Sequence, residues 1–222
     1  MIRLHAIPGS RSFRILWLME ELGMQPDEII NYSIMDGSLR TDAYRELNPA
    51  GRVPALEIDG MVLTESGAIT QYLLETRPDH KLAPEVGAPN RGAFLQWLHF
   101  SESVAVLIQN LNMQHLFLPD PSMQSPVVMG LETRRLAGLL KVAEGALADG
   151  RETLMPEGFS AADTMFGFNI SAAFHYVHKE KFPRLQAYLA RMQARPASQR
   201  AMLAQGEDVF YTKDFYPLPE GA

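Results

Sequence analysis

The sequence predicts an α/β domain followed by an all-helical domain. Short apolar runs bounded by turn residues occur before Arg77, and helical spacing of apolar residues is the sole periodicity after Asn90. Between them, Arg77 to Pro89 holds three prolines, Gly87 and few apolar residues, the composition of a linker. The boundaries drawn from this are 1–78 for the α/β domain, 79–89 for the linker and 90–222 for the helical domain.

Residues 2–7 alternate Ile2, Leu4 and Ala6 with Arg3 and His5 and read as a strand, which Pro8-Gly9-Ser10 turns into a helix. In that helix Ile15, Leu18, Met19 and Leu22 form one stripe, widened by Phe13, Leu16 and Trp17, and Gly23 caps its end. A second strand is expected around Glu28–Ile34 and a short helix around Asp42–Leu47. Pro54 removes a ladder donor where the extended run Ala55–Ile58 begins, so it belongs at a strand's first residue, at an edge or in a cis turn. Asp59-Gly60 is the signature of a two-residue type I′ hairpin, with Leu56 and Ile58 before it facing Met61 and Leu63 after it. Glu65-Ser66-Gly67-Ala68 then opens a helix carrying Ile69, Tyr72 and Leu73. The order β-α-β-α-β-β-α describes a compact α/β domain.

Beyond the linker, Phe94, Leu98, Val104, Leu107, Ile108 and Leu111 mark one long helix, and Leu136, Leu139, Leu140, Ala143 and Leu147 mark another. Ser160-Ala161-Ala162-Asp163 has a capping-box layout ahead of Met165, Phe166 and Ile170, with Asp in place of the usual Glu. Leu185, Tyr188, Leu189 and Met192 define a fourth helix, and Pro196 starts a short fifth. The tail after Glu207 is rich in Phe and Tyr and is expected to pack on the body.

With 222 residues, 46% of them hydrophobic, the chain can bury a full core. A net charge of −6 without a dense Lys/Arg run argues against nucleic acid or an anionic membrane as partner. The chain has no cysteine, which excludes disulfides, thiolate metal sites and a cysteine nucleophile together. The N-terminus does not resemble a signal peptide and no apolar run is long enough to span a membrane, so the expected location is cytoplasmic.

The stretch Asn48 to Ile69 carries the densest chemistry. Pro54 leaves the backbone of Val53 free to pair with a ligand, and Ser66 lies at a helix N-terminus whose N–H groups and hydroxyl suit a carboxylate. Glu65 beside them suits an ammonium, and carboxylate and ammonium side by side describe an amino-acid head group.

With that motif and the two-part layout, the chain resembles the cytosolic glutathione transferase superfamily over nearly its whole length. The resemblance implies a thioredoxin-like N-terminal domain, a helical C-terminal domain, glutathione as cosubstrate and a homodimer. It implies that Pro54 is cis, that the Val53 backbone binds the cysteinyl part of glutathione, and that Glu65 and Ser66 hold its γ-glutamyl group. Arg52 matches a basic or amide residue used near the glycine end, with Arg40 as a second candidate. Ser160 and Asp163 match the family's folding capping box.

At the catalytic position the tyrosine used by some members falls on His5 or Ala6, and the cysteine of others falls on Arg11. Ser10 and Ser12 remain. Ser10 is favoured, because a serine four residues ahead of an arginine, here Arg14, resembles the serine-type arrangement of theta- or nu-like bacterial members. A serine hydroxyl, the positive end of the first helix and Arg11 can together lower a thiol pKa of about 8.5, each unit being about 1.4 kcal/mol. The same Ser10 also suits a plain helix cap. The expected reaction is attack of the thiolate on a hydrophobic electrophile, with peroxidase or thioether cleavage as further activities of such a site. The acceptor pocket is expected between the domains along the first long helix, with His99, Ser103 and Asn110 as its polar candidates. The alternative function is a binding or interaction protein that keeps the fold without catalysis; a thiol-disulfide reductase of this family would need the missing cysteine. His175-x-x-His178 has metal-ligand spacing, but without a third ligand it reads as a packed or surface pair, and no metal is expected.

Overall fold

A computed structural model describes residues 1–77 and 80–219; Pro78 and Asp79, at the expected domain boundary, and residues 220–222 lie outside the described residues. The chain divides into two compact units, Met1–Leu82 with Ala194–Val209, and Ala83–Gln193 with Phe210–Ala222.

The first unit is built on a four-stranded sheet of order β2-β1-β3-β4. Strand β1 (Arg3–Ala6) leads through the Pro8–Ser10 turn into α1 (Ser12–Glu21) and on to β2 (Glu28–Asn31). β2 runs parallel to β1, with Leu4 opposite Ile29. The helix needed to cross over between parallel strands buries Ile15, Leu16, Leu18 and Met19 against the sheet. After α2 (Asp42–Leu47), β3 (Ala55–Ile58) and β4 (Met61–Thr64) form the expected hairpin. Leu56 pairs with Leu63 and Ile58 with Met61, and both loop residues, Asp59 and Gly60, take the positive φ of a type I′ turn. α3 (Ser66–Thr76) closes the α/β layer.

β2 stops short of the expected Ile34. The Ser38 hydroxyl accepts the Ser33 N–H, the Ser33 hydroxyl accepts that of Met35, and the Asp36 carboxylate accepts that of Ser38. Side chains thus take the donors a longer ladder would have used.

The second unit is helical: α4 (Arg91–Asn112) ends in a π-helical turn at Met113–Phe117 and is followed by α5 (Pro126–Ala146), α6 (Ala161–Ala173) and α7 (Pro183–Ala194). The capping box forms as read: the buried Asp163 carboxylate accepts from the N–H and hydroxyl of Ser160, and also from the Leu154 N–H and the Tyr188 hydroxyl. The aromatic tail packs within this unit, Tyr211 stacking on His175 at 4.0 Å and Tyr216 donating its N–H to the His175 carbonyl.

The sequence places α8 (Pro196–Gln205) in the helical domain, whereas it lies on α1 in the first unit. There α8 buries Ala197, Ser198 and Ala201, and two ion pairs tie it to the end of α1. α1 ends in two buried carboxylates and has no basic residue in its last turn. Arg195 grips Glu21 with two hydrogen bonds of 2.6 and 2.8 Å, and Arg200 reaches Glu20 at 2.6 Å.

No helix among the described residues is long and apolar enough to cross a membrane.

Candidate functional site

Register gathers three chain segments at one end of the sheet. His5 of β1 pairs with Ala55 of β3, and Ala55 pairs with Thr64 of β4. Just past these pairs come the Pro8–Ser10 turn, Val53-Pro54 and Glu65-Ser66. Serines, valine and acid-serine pair therefore lie at the same end of the sheet although the sequence separates them.

The Val53-Pro54 peptide is cis, as the resemblance implies. Among the described residues neither the N–H nor the carbonyl of Val53 meets a protein partner. Glu65 precedes α3 with φ 67°, a left-handed value that an exposed glutamate adopts at some cost. Its carbonyl accepts the Ile69 N–H, the first bond of α3, so the N–H groups of Ser66, Gly67 and Ala68 have no carbonyl to meet inside the helix. Such an end of a helix is suited to an anion.

Below them lies Arg14, fully buried, whose Nη1 donates to Ser66 Oγ at 3.0 Å. A guanidinium only donates, so Ser66 accepts there and its own proton is available to a carboxylate. Sequence spacing had picked out Arg14 through its distance from Ser10, with no hint that its partner would be Ser66.

Ser10 and Ser12 form a pair. The Ser10 hydroxyl donates to Ser12 Oγ at 2.9 Å and accepts the Ser12 N–H at 3.2 Å. Ser10 thus satisfies an N–H in the first turn of α1, the role foreseen as a cap, while Arg11 occupies the N-cap position. The two hydroxyls differ in access: Ser12 is 2% exposed, whereas Ser10 is half-buried. The turn before them accepts no side chain at Gly9, where φ is +77° and a Cβ would lie 2.3 Å from the Asp208 carboxylate. The Gly9 N–H donates to Gln205 Oε1 at 3.3 Å, so the last residue of α8 and Asp208 just after it both lie against this turn.

Arg52 has an exposed side chain and a firmly held backbone. Its carbonyl accepts from the Tyr44 hydroxyl and from Asn48 Nδ2, both at 2.7 Å. The reading of the sequence missed Tyr44 and Asn48. A side chain bonding a carbonyl a few positions on leaves no periodic trace, and the only available signal was Asn48 preceding a Pro-Ala-Gly turn. Arg40 is exposed on a 3-10 turn (Ser38–Arg40), and the neighbouring Leu39 carbonyl sits 3.0 Å from where a Gly51 Cβ would be. The turns bearing Arg40 and Arg52 are therefore packed together.

His99, Ser103 and Asn110 are exposed along one face of α4 in the second unit. His175 and His178 are engaged with the tail: His175 Nδ1 bonds the Lys213 and Asp214 carbonyls at 3.0 and 3.1 Å, and the His178 ring packs on Phe215.

Residues 1–75 match the model of the glutathione S-transferase N-terminal domain. Glutathione S-transferase 3 of Schizosaccharomyces pombe is 30% identical over 210 residues, covering 89% of this chain and 85% of that protein. Glutathione S-transferase GstA of Escherichia coli O157:H7 is 30% identical over 203 residues, covering 90% and 96%. Among solved structures, a glutathione transferase from Methylococcus capsulatus superposes with a TM-score of 0.80 at 30% identity, covering 92% of this chain and 98% of that one. An α/β unit with a cis Val-Pro turn and an acid-serine helix start, joined to a helical unit and matched over most of its length by transferases, places the chain in the glutathione S-transferase family.

Proposed function

We propose that the chain is a glutathione transferase of the serine type, a cytosolic homodimer that activates the glutathione thiol for attack on a hydrophobic electrophile. Glutathione is its cosubstrate. The observation that supports this most is the cradle at the sheet end. Unpaired N–H groups and the Ser66 hydroxyl over a buried Arg14 suit the γ-glutamyl carboxylate, and the exposed Glu65 suits the ammonium. Val53 offers a free backbone to the cysteinyl residue, while Arg52 and Arg40 offer positive charge toward the glycine carboxylate.

Ser10 is the group assigned to the thiol. It is the more accessible of the two hydroxyls, and Ser12 holds it in place from the α1 side. A thiol of pKa about 8.5 is mostly protonated at neutral pH. Once the Ser10 hydroxyl turns its proton from Ser12 to the sulfur, that donation, with the positive end of α1 and the Arg11 charge, stabilises the anion, and the electrophile then reacts by proximity. His99 and Ser103 are assigned to the electrophile side.

The test is steady-state conjugation of glutathione with an aryl halide, beside calorimetric titration of glutathione. Binding together with turnover that falls on Ser10→Ala supports the proposal. Turnover undiminished in Ser10→Ala removes that residue from its role. Absence of binding at millimolar glutathione favours a protein that keeps the fold as an interaction module.

A further inference from the structure

The Val53 N–H belongs to a peptide unit whose other end is held from inside the fold. The cis bond noted above follows Val53, and the Arg52–Val53 peptide before it is trans, so the Arg52 carbonyl and the Val53 N–H lie in one plane and point in opposite directions. Tyr44 and Asn48, 3% and 4% exposed, each donate to that carbonyl at 2.7 Å, which fills both of its lone pairs. Clamping the carbonyl inward fixes the N–H outward. Hydrogen bonds to the oxygen also draw electron density along the amide and make its N–H a stronger donor.

Both clamping side chains are themselves constrained. Asn48 Oδ1 accepts the Ala50 N–H at 3.1 Å, so an amide flip would place oxygen against the Arg52 oxygen. The Asn48 N–H bonds the Tyr44 carbonyl at 2.8 Å, and Thr41 caps the helix that carries Tyr44. The Tyr44 ring lies against Tyr32 at 4.4 Å, and Tyr32 bonds His5 Nδ1 at 2.9 Å while His5 Nε2 bonds Glu57 at 2.9 Å. The hydrogen bond from His5, with Arg3 nearby, holds Glu57 below the usual carboxylate range. As an acceptor only, Glu57 requires the proton on Nε2, and the Tyr32 hydroxyl occupies the other ring nitrogen. The Tyr32 hydroxyl is thereby committed to His5, and that of Tyr44 to Arg52.

We infer that Tyr44 and Asn48 are positioning residues of the glutathione site, aiming and strengthening the Val53 N–H that receives the backbone of the cosubstrate. This rests on the function proposed above.

The experiment compares the full-length protein with Tyr44→Phe, Asn48→Ala and the double variant. The readouts are the glutathione dissociation constant, kcat at saturating glutathione, melting temperature and the ¹⁵N amide shift of Val53 without ligand. Each single variant is expected to move the Val53 resonance and to weaken glutathione binding roughly three- to tenfold, the double variant more, with kcat within about twofold of wild type. An unmoved Val53 resonance, or an unchanged dissociation constant in the folded variants, overturns the inference. If wild type itself fails to bind glutathione, the proposed function falls, while the Val53 resonance still decides whether the clamp exists. If one variant does not fold, the other carries the same test.

Discussion

Arg14 and Ser66 stand 52 positions apart in sequence and meet in the interior of the first unit, guanidinium Nη1 to hydroxyl oxygen at 3.0 Å. The contact joins the first turn of α1 to the first residue of α3, the two helix starts between which the ligand is assigned. It also sets the direction of the Ser66 proton, because Arg14 cannot accept.

Ser66→Ala should therefore act twice. Loss of a hydrogen bond to a charged carboxylate, worth about 2 kcal/mol, raises the glutathione dissociation constant roughly thirtyfold. Loss of one acceptor for a buried guanidinium lowers stability by about 1 to 3 kcal/mol. Calorimetric titration and thermal melting read the two effects separately, and an unaltered dissociation constant would refute the assignment of Ser66.

The serine pair separates by access. Ser10→Ala should lower kcat/KM by roughly tenfold to a hundredfold and reduce the ultraviolet absorbance of bound thiolate, in the range expected when one donor to a developing anion is removed. Ser12→Ala removes the partner of Ser10 and leaves the accessible hydroxyl, so its loss should be smaller, within about tenfold. The reverse order would move the role to Ser12.

Tyr44 gives the protein an alkaline limit. Burial, then the proximity of Tyr32, pushes its hydroxyl from the usual 10 up to about 12. Below pH 10 both folded and unfolded chains keep the proton, and the contribution to stability is present in full. Between pH 10 and about 12 the unfolded chain releases it first, and the contribution is lost as pH rises. Melting temperature should fall across that window in wild type and fall less steeply in Tyr44→Phe. Identical slopes would count against it.

Asp163 supports folding rather than chemistry. Burial pushes its carboxyl up against the four donors that pull it down. Asp163→Ala leaves the Leu154 and Ser160 N–H groups and the Tyr188 hydroxyl without that acceptor, at a cost of at least ~3 kcal/mol. Chemical denaturation should register the loss, whereas glutathione affinity of the folded fraction at low temperature should stay as in wild type.

Local chemistry was the legible part. The Asp59-Gly60 hairpin and the Ser160–Asp163 box each involve residues within three positions, so the residue types alone specify them. The early end of β2 was not legible, because serine and aspartate side chains compete with a ladder without altering the apolar pattern. In α5, Val127 and Leu131 are exposed, and apolar residues off the buried face blurred the period over the helix's first half. Ser10, Ser12, Val53 and Ser66 could be named from motifs, yet Tyr44 and Asn48 could not. Their acceptor is a backbone oxygen, which every residue possesses.

The placement of α8 bears on how the protein is made. Residues 1–82 leave the ribosome well before 194–209, by roughly ten seconds at 5–20 residues per second. Through that interval Glu20 and Glu21 lack the arginines that neutralise them, and the turn bearing Ser10 lacks Gln205. The nascent thioredoxin-like half waits, incomplete, for a segment translated after the helical unit, and a gene cut after codon 82 would yield a half that never receives its clasp.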